Sequence, residues 1–286
     1  MREQKHGRRG AFPFAGKAAV ITGAGSGIGL ALAHACADEG MRLVLADRDA
    51  ARLEAVAAEL RAKGAEVTTR LTDVARAEEV EALAVAAEQL YGGTDLLFNN
   101  AGVTTPDRWR NVWEFTPADW QKMFDVNVLG VAYGLTSFVP RMIARGRPAH
   151  VVNMASLAGL LSGSGSVPYG ASKHAVVRIT EGLAAGLAEQ GHPIGVTLVC
   201  PGLVRTRIFD DSGAQPDLDE SGRFRFTAAT AEPDDLAREI VQAVAEDRYW
   251  LVSDQGFEAA VEERLETIRL RRRPGFAATR AAQQRD

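Results

Sequence analysis

Six short apolar runs, spaced by stretches of helical periodicity, constrain this chain more than any other feature. The runs are Ala18–Thr22, Arg42–Asp47, Glu66–Leu71, Leu96–Asn99, His150–Met154 and Gly195–Cys200. Most are nearly continuous in Val, Leu and Ile, the pattern of strands buried on both faces. Amphipathic segments lie near Ile28–Asp38, Ala50–Lys63, Ala77–Leu90, Pro117–Ala144 and Ser172–Glu189. Strand, helix and strand in this rhythm imply right-handed crossovers, and so a parallel sheet with helices on both faces. A short run at Tyr249–Val252 brings the sheet to about seven strands. The fold class is α/β, doubly wound.

A chain of 286 residues is long for one domain, but α/β domains reach this size, and nothing here marks a second unit or a repeat. Residues 1–286 are therefore read as a single domain. Residues 1–15 form a basic N-terminal extension with Arg2, Lys5, Arg8 and Arg9. The rhythm breaks over residues 203–231, rich in Gly, Asp, Ser and Arg with Ile208, Phe209, Phe224 and Phe226 interspersed. A stretch that long without periodicity is functional or disordered, and a lid over a ligand site is the reading preferred. A helix opens at Glu232-Pro233, with proline at the first helical position, and runs to Glu246. Residues 257–286 hold a last helix, Phe257 to Arg272, and a tail; Arg269, Arg271, Arg272 and Arg273 cluster there.

The turn after the first strand is Thr22-Gly-Ala-Gly-Ser-Gly-Ile-Gly29, and it leads directly into a helix. Glycines allow a tight turn and close approach to a pyrophosphate, while the helix N-terminus offers amide donors to an anion. Strand before and helix after make this a dinucleotide turn, so the sheet is Rossmann-type. Asp47 ends the second strand 18 residues past Gly29, near the spacing at which a carboxylate meets the adenosine ribose. A carboxylate there accepts from a free diol and repels a 2′-phosphate, which favours NAD. Arg48 follows and could pair a 2′-phosphate, so NADP is the alternative.

Tyr169 and Lys173 stand four residues apart in Tyr169-Gly-Ala-Ser-Lys173, thirteen after Ser156. On a helix, phenol and ammonium share one face. A free tyrosine titrates near pH ~10, and an adjacent cation favours the phenolate, which makes the pair an acid–base device.

Together these motifs resemble the short-chain dehydrogenase/reductase family in its short single-domain form, over residues 16–206. Asn99-Asn100-Ala101-Gly102 is similar to the family segment that secures the sheet and the adenine-ribose side of the cofactor. Asp73, in Thr72-Asp73-Val74, matches the acid that contacts the adenine, and Asn127 matches the helix-kinking catalytic asparagine. Pro201-Gly202-Leu203-Val204-Arg205-Thr206 resembles the segment that holds the nicotinamide carboxamide.

The resemblance implies a hydride transfer between a nicotinamide cofactor and a secondary alcohol or ketone. The catalytic set would be Asn127, Ser156, Tyr169 and Lys173. The cofactor would meet Gly23, Ser26, Gly27, Ile28, Gly29, Asp47, Arg48, Asp73, Val74, Asn100, Ala101, Gly102, Pro201, Gly202, Val204 and Thr206, with Tyr169 and Lys173 shared. The substrate would meet Ser156, Leu157, Tyr169 and Leu203, with Val103, Thr104, Ala158, Ile208 and Phe209 lining an apolar pocket. Trp109 and Trp113 are either a pocket wall or packing residues. A redox-neutral epimerase or dehydratase holding NAD, and a non-catalytic NAD sensor, are the rival readings. The helices near Pro117–Ala144 and Ser172–Glu189 correspond to those of the family's dimer contact, so a homodimer or homotetramer is expected. The charged helix after Tyr249–Val252 departs from relatives that end in a glycine-rich tail.

Composition excludes other classes. A net charge of −4 and a pI near 5.8 argue against a general nucleic-acid binder. Cys36 and Cys200 have no metal or disulfide spacing and read as reduced core thiols. No unbroken apolar run reaches the ~20 residues of a membrane span, and no secretion signal is seen, so a cytoplasmic protein without membrane partners is expected.

Overall fold

The computed structural model describes residues 12–105, 110–161, 166–206, 208, 231–253 and 258–273. Seven parallel strands form one sheet: β1 (Ala18–Thr22), β2 (Arg42–Asp47), β3 (Val67–Leu71), β4 (Leu96–Asn99), β5 (Ala149–Met154), β6 (Ile194–Cys200) and β7 (Trp250–Val252). Their order is β3-β2-β1-β4-β5-β6-β7. Every residue of β1, β4, β5 and β6 is buried, whereas the edge strands β3 and β7 are partly exposed. Central strands have helices on both faces and so need apolar side chains in both directions.

Alternation along each strand divides the core. Ile21, Leu43, Leu45 and Phe98 face one side and pack with Leu32 of α1 (Gly27–Asp38), Leu60 of α2 (Ala50–Ala62) and Ile240. Val20, Val44 and Leu97 face the other and pack with Leu83 of α3 (Ala77–Tyr91) and Phe138. The chain leaves β1 toward β2 on one side, and β4 lies on the other. The loops after β1 and β4 thus diverge, opening a crevice at the carboxyl ends of the strands.

Two helices differ from the sequence expectation in ways that matter for the site. The stretch expected as one helix over Pro117–Ala144 is α4 (Pro117–Phe124), a turn of π-helix at Asp125–Leu129, and α5 (Gly130–Arg145). The extra residue of the π turn is invisible to a 3.6-residue periodicity, and Asn127 sits in it. Helix α6 spans Val167–Glu189, starting five residues before the expected Ser172. Pro168 in its first turn is compatible with a helix start, so the small residues of Tyr169-Gly-Ala-Ser mark no boundary. Pro117–Arg145 as a whole, 29 residues, is long and apolar enough to cross a membrane. It packs on α3 and α6, with 44% of its most apolar window buried.

Helices α7 (Pro233–Ala245) and α8 (Glu258–Arg269) complete the described chain. Of the segment expected as a lid, Leu203 through Thr206, Ile208 and Ala231 are described. Val204 and Ala231 form a parallel bridge, flanked by Ala231 N–H to the Leu203 carbonyl at 2.9 Å and Arg205 N–H to the Ala231 carbonyl at 3.0 Å. The two ends of the segment therefore meet. Phe209, Phe224, Phe226, Trp109, Phe257, the basic residues of 1–11 and the tail 274–286 lie outside the described residues.

Candidate active site

The crevice is built around Thr22, the last residue of β1. Its hydroxyl donates to the Phe98 carbonyl (3.1 Å) and accepts from the amides of Asn100 (3.0 Å) and Ala101 (3.1 Å). Asn100 Nδ2 returns across the gap to the carbonyls of Thr22 (2.8 Å) and Gly23 (3.3 Å). These bonds fasten the glycine turn to the loop after β4. The turn is tight enough that a methyl group on Gly29 would overlap the Gly23 carbonyl oxygen and lie 2.7 Å from Asn100 Nδ2. Gly23 has φ +67°, a left-handed conformation natural to glycine. Helix α1 starts after Ser26 without a side-chain cap, which leaves its leading amides for an anion.

Asp47 is fixed beside this turn. One carboxylate oxygen accepts from the Gly25 amide at 2.9 Å and the other from the Asp49 amide at 3.0 Å. Arg48 is exposed. After β3, the Asp73 carboxylate accepts from the Ala75 amide at 3.0 Å, and Val74 packs at the α-carbon of Gly130, where a β-carbon would lie 2.9 Å from it. Across the crevice, Thr206 lies against Gly27, a β-carbon there being 3.1 Å from the Thr206 side chain. The segment after β6 and the glycine turn after β1 thus approach one another. A glycine cradle, uncapped helix amides and a pinned carboxylate in one crevice fit a dinucleotide.

The residues expected as the acid–base set lie at the same end of the sheet. Lys173 is only 4% exposed, and its ammonium donates to the Met154 carbonyl at the end of β5, at 2.9 Å. It stands 5.7 Å from the centre of the half-buried Tyr169 ring. Burial pushes the Lys173 pKa down from 10.5 to about 8, so the amine is still protonated at neutral pH. Ser156, after β5, accepts from the Ala158 amide (3.2 Å) and reaches the Pro201 carbonyl at 3.4 Å; the Leu157 amide bonds that carbonyl too, at 2.9 Å. The loops after β5 and β6 are joined there.

Asn127 is fully buried in the π turn. Its oxygen accepts from the Val103 amide (2.8 Å), and its nitrogen donates to the Val103 carbonyl (2.9 Å) and to Ser172 Oγ (3.0 Å). A β-carbon on Gly102 would lie 3.3 Å from Asn127 Oδ1 and 3.4 Å from Lys173 Nζ, so the two groups converge on that glycine. Tyr169, Lys173, Asn127 and Ser156 thus come from α6, the π turn and the loop after β5. Val103 and Leu203 are half-buried and Leu157 is buried, whereas Trp113 is 78% exposed and packs into no wall among the described residues.

Several residues that organise the crevice were not legible from the sequence. Thr22 read as the strand end and the first residue of the glycine turn, with no bonding role of its own. Asn99 donates to Asn153 Oδ1 (2.8 Å), and Asn153 donates to Thr180 Oγ1 (3.0 Å), a buried polar chain linking β4, β5 and α6. A methyl on Gly134 would overlap the Asn99 side chain, which lets α5 press against this chain. The signal available was Asn153 itself, an amide inside the apolar run His150–Met154. Cys200 lies close by, but burial pushes its thiol up to about 12, so it is no nucleophile.

Known proteins are similar to this chain in sequence and fold. The family model described as short chain dehydrogenase matches residues 17–217. The chain is 36% identical over 252 residues to a 1-deoxy-11-beta-hydroxypentalenate dehydrogenase from Streptomyces exfoliatus, covering 88% of each. It is 29% identical to a CLA biosynthesis dehydrogenase/reductase from Lactiplantibacillus plantarum, covering 89% of this chain and 94% of that one. Among solved structures, a short chain dehydrogenase/reductase from Burkholderia phymatum in complex with NAD superposes with a TM-score of 0.84 at 40% identity, covering 92% of this chain and 98% of that one.

Proposed function

Since the chain belongs to the short-chain dehydrogenase family, and is thereby a nicotinamide-dependent oxidoreductase acting on CH–OH groups, we propose that it moves hydride between NAD and a fairly hydrophobic secondary alcohol or ketone. The observation that carries this reading is the buried Lys173 ammonium beside the Tyr169 ring at the mouth of the crevice. When bound, the nicotinamide supplies the hydride acceptor or donor.

The chain's own residues handle the proton and the geometry. Tyr169, as phenolate, takes the hydroxyl proton of the alcohol and returns it in the reverse direction. The Lys173 cation stabilises that phenolate, and Ser156 donates to the substrate oxygen as it gains negative charge. Asn127 holds the loop after β4, and its place beside Lys173 suits a water relay from the ammonium toward solvent. The dinucleotide is held by the turn Gly23–Gly29, the amides of α1, Asp47, the Asn100–Gly102 loop and Thr206. Asp73 and Val74 flank the adenine end. NAD is favoured over NADP because Asp47 is the group fixed at the turn while Arg48 is exposed, and because the 40% identical Burkholderia phymatum protein is in complex with NAD.

Substrate selectivity falls to Leu157, Leu203, Val103 and Ile208, whose apolar character suits a substrate with few charges. The reading further takes the chain as one cytoplasmic domain that assembles as a homodimer or homotetramer through α5 and α6. A panel of secondary alcohols and ketones, followed by NADH and NADPH absorbance, tests cofactor and chemistry together. NADPH binding as tightly as NADH would overturn the cofactor choice. A silent panel despite tight cofactor binding would overturn the enzyme assignment in favour of a sensor.

A further inference from the structure

Tyr169 is the third residue of α6 and so lies in its first turn, where the leading amides have no helical partner and the chain frays most readily. A group that must meet a substrate oxygen to within a few tenths of an ångström needs more support than that turn supplies. Ser172, three residues on and fully buried, provides it. Its hydroxyl donates to the Tyr169 carbonyl at 2.7 Å and accepts from Asn127 Nδ2 at 3.0 Å. A serine has one proton to give, so the direction of the chain is fixed: Asn127 N–H to Ser172 O–H to Tyr169 carbonyl. Asn127 is itself bonded to both the amide and the carbonyl of Val103. One hydroxyl therefore joins the first turn of α6, the π turn and the loop after β4.

The same loop grips α6 on the other side of Tyr169. Thr105 Oγ1 and Ser166 Oγ are 2.6 Å apart, and Ser166 has φ +48°, a left-handed conformation strained for a serine. The turn carrying Tyr169 is thus clamped at both ends to residues 103–105.

We propose that Ser172 is a positioning residue for the oxidoreductase reaction, holding Tyr169 in register with Lys173 and the substrate oxygen through its bonds to the Tyr169 carbonyl and Asn127. This rests on the reading of Tyr169 as the acid–base group. The test compares Ser172→Ala, Ser172→Thr and Ser172→Cys with the wild type and with Tyr169→Phe. Active sites are counted by NADH fluorescence titration, so that unfolded protein does not enter the rate. Threonine keeps the hydroxyl and readily bonds a carbonyl one turn back in a helix.

Ser172→Ala should lose about 10- to 100-fold in kcat per active site, with cofactor Kd changed by less than about twofold, the signature of lost alignment rather than lost binding. Its acidic limb in the alcohol-oxidation profile should move to higher pH, because a displaced phenol is less well stabilised by Lys173. Ser172→Thr should recover most of both losses, and Ser172→Cys, a weak donor, should fall between should threonine not fit. A Ser172→Ala rate within about twofold of wild type, beside an inactive Tyr169→Phe, would overturn the proposal. So would a slower Ser172→Ala whose pH profile is unmoved, since a purely structural role predicts that result. Retained turnover in Tyr169→Phe would remove the underlying reading of Tyr169 instead, and the proposal with it.

Discussion

Replacing Lys173 by methionine should make the cofactor-free protein more stable while abolishing turnover. The ammonium is buried, and its pKa falls from 10.5 to about 8 on folding because burial disfavours the charge. That gap corresponds to about 3 kcal/mol against the native state at neutral pH, at roughly 1.4 kcal/mol per pH unit. Methionine matches the length of the side chain without the charge, but it leaves the Met154 carbonyl without the ammonium, at a cost of about 1 kcal/mol. The net gain is about 2 kcal/mol. The sign has a pH signature. Between about 8 and 10.5 the unfolded chain holds the lysine proton and the native one does not, so raising pH through that window stabilises the wild type. The advantage of Lys173→Met should therefore shrink there and, above it, turn into a deficit of about 1 kcal/mol, the cost of the Met154 carbonyl. Tyr249, pushed up to about 12 by burial, titrates in the opposite sense but in both proteins alike. The Cys200 thiol, also raised by burial, is held down by the Lys173 charge, so in the variant it lies higher still and only deepens the loss at high pH. Urea unfolding of both proteins at several pH values is the assay. A Lys173→Met protein less stable than wild type by more than about 1 kcal/mol at neutral pH, or a difference flat in pH, would refute the reasoning.

Gly29→Ala should weaken NADH binding by about 10²-fold or more, because the methyl would overlap the Gly23 carbonyl and the turn must open by about 1 Å; a fluorescence titration showing unchanged affinity would contradict this. Thr22→Val, nearly isosteric, deletes the hydroxyl that serves Phe98, Asn100 and Ala101 together. It should destabilise the protein by about 2–4 kcal/mol, the Asn100 and Ala101 amides being only part-buried and open to some rescue by water; a loss under about 0.5 kcal/mol by urea unfolding would show that Thr22 is no hub.

The fold was legible because its central strands are buried on both sides: runs such as Leu96–Asn99 have no polar alternation to confuse them with surface strands. The glycine turn, Asp47 and the Tyr169–Lys173 pair were legible because each is a local spacing with a chemical reason. What escaped was long-range or irregular. The π turn at Asp125–Leu129 adds a residue without altering composition, and the early start of α6 hides behind Pro168 and small residues. The Asn99–Asn153–Thr180 chain and the Ser172–Asn127 link join residues 27 to 54 positions apart, and no local pattern announces them. The segment 203–231 could be marked only as a break in rhythm, and the structure adds that Val204 and Ala231 close its base.

Turnover by Tyr169→Phe, measured beside its cofactor affinity, tests the central claim most directly. The substitution removes only the phenolic oxygen and leaves the ring beside Lys173. If Tyr169 carries the proton, alcohol-dependent NADH formation should fall by about 10²–10⁴-fold while NADH binds within about twofold of wild type. A variant that keeps more than about a tenth of the wild-type rate would show that the proton travels by another group.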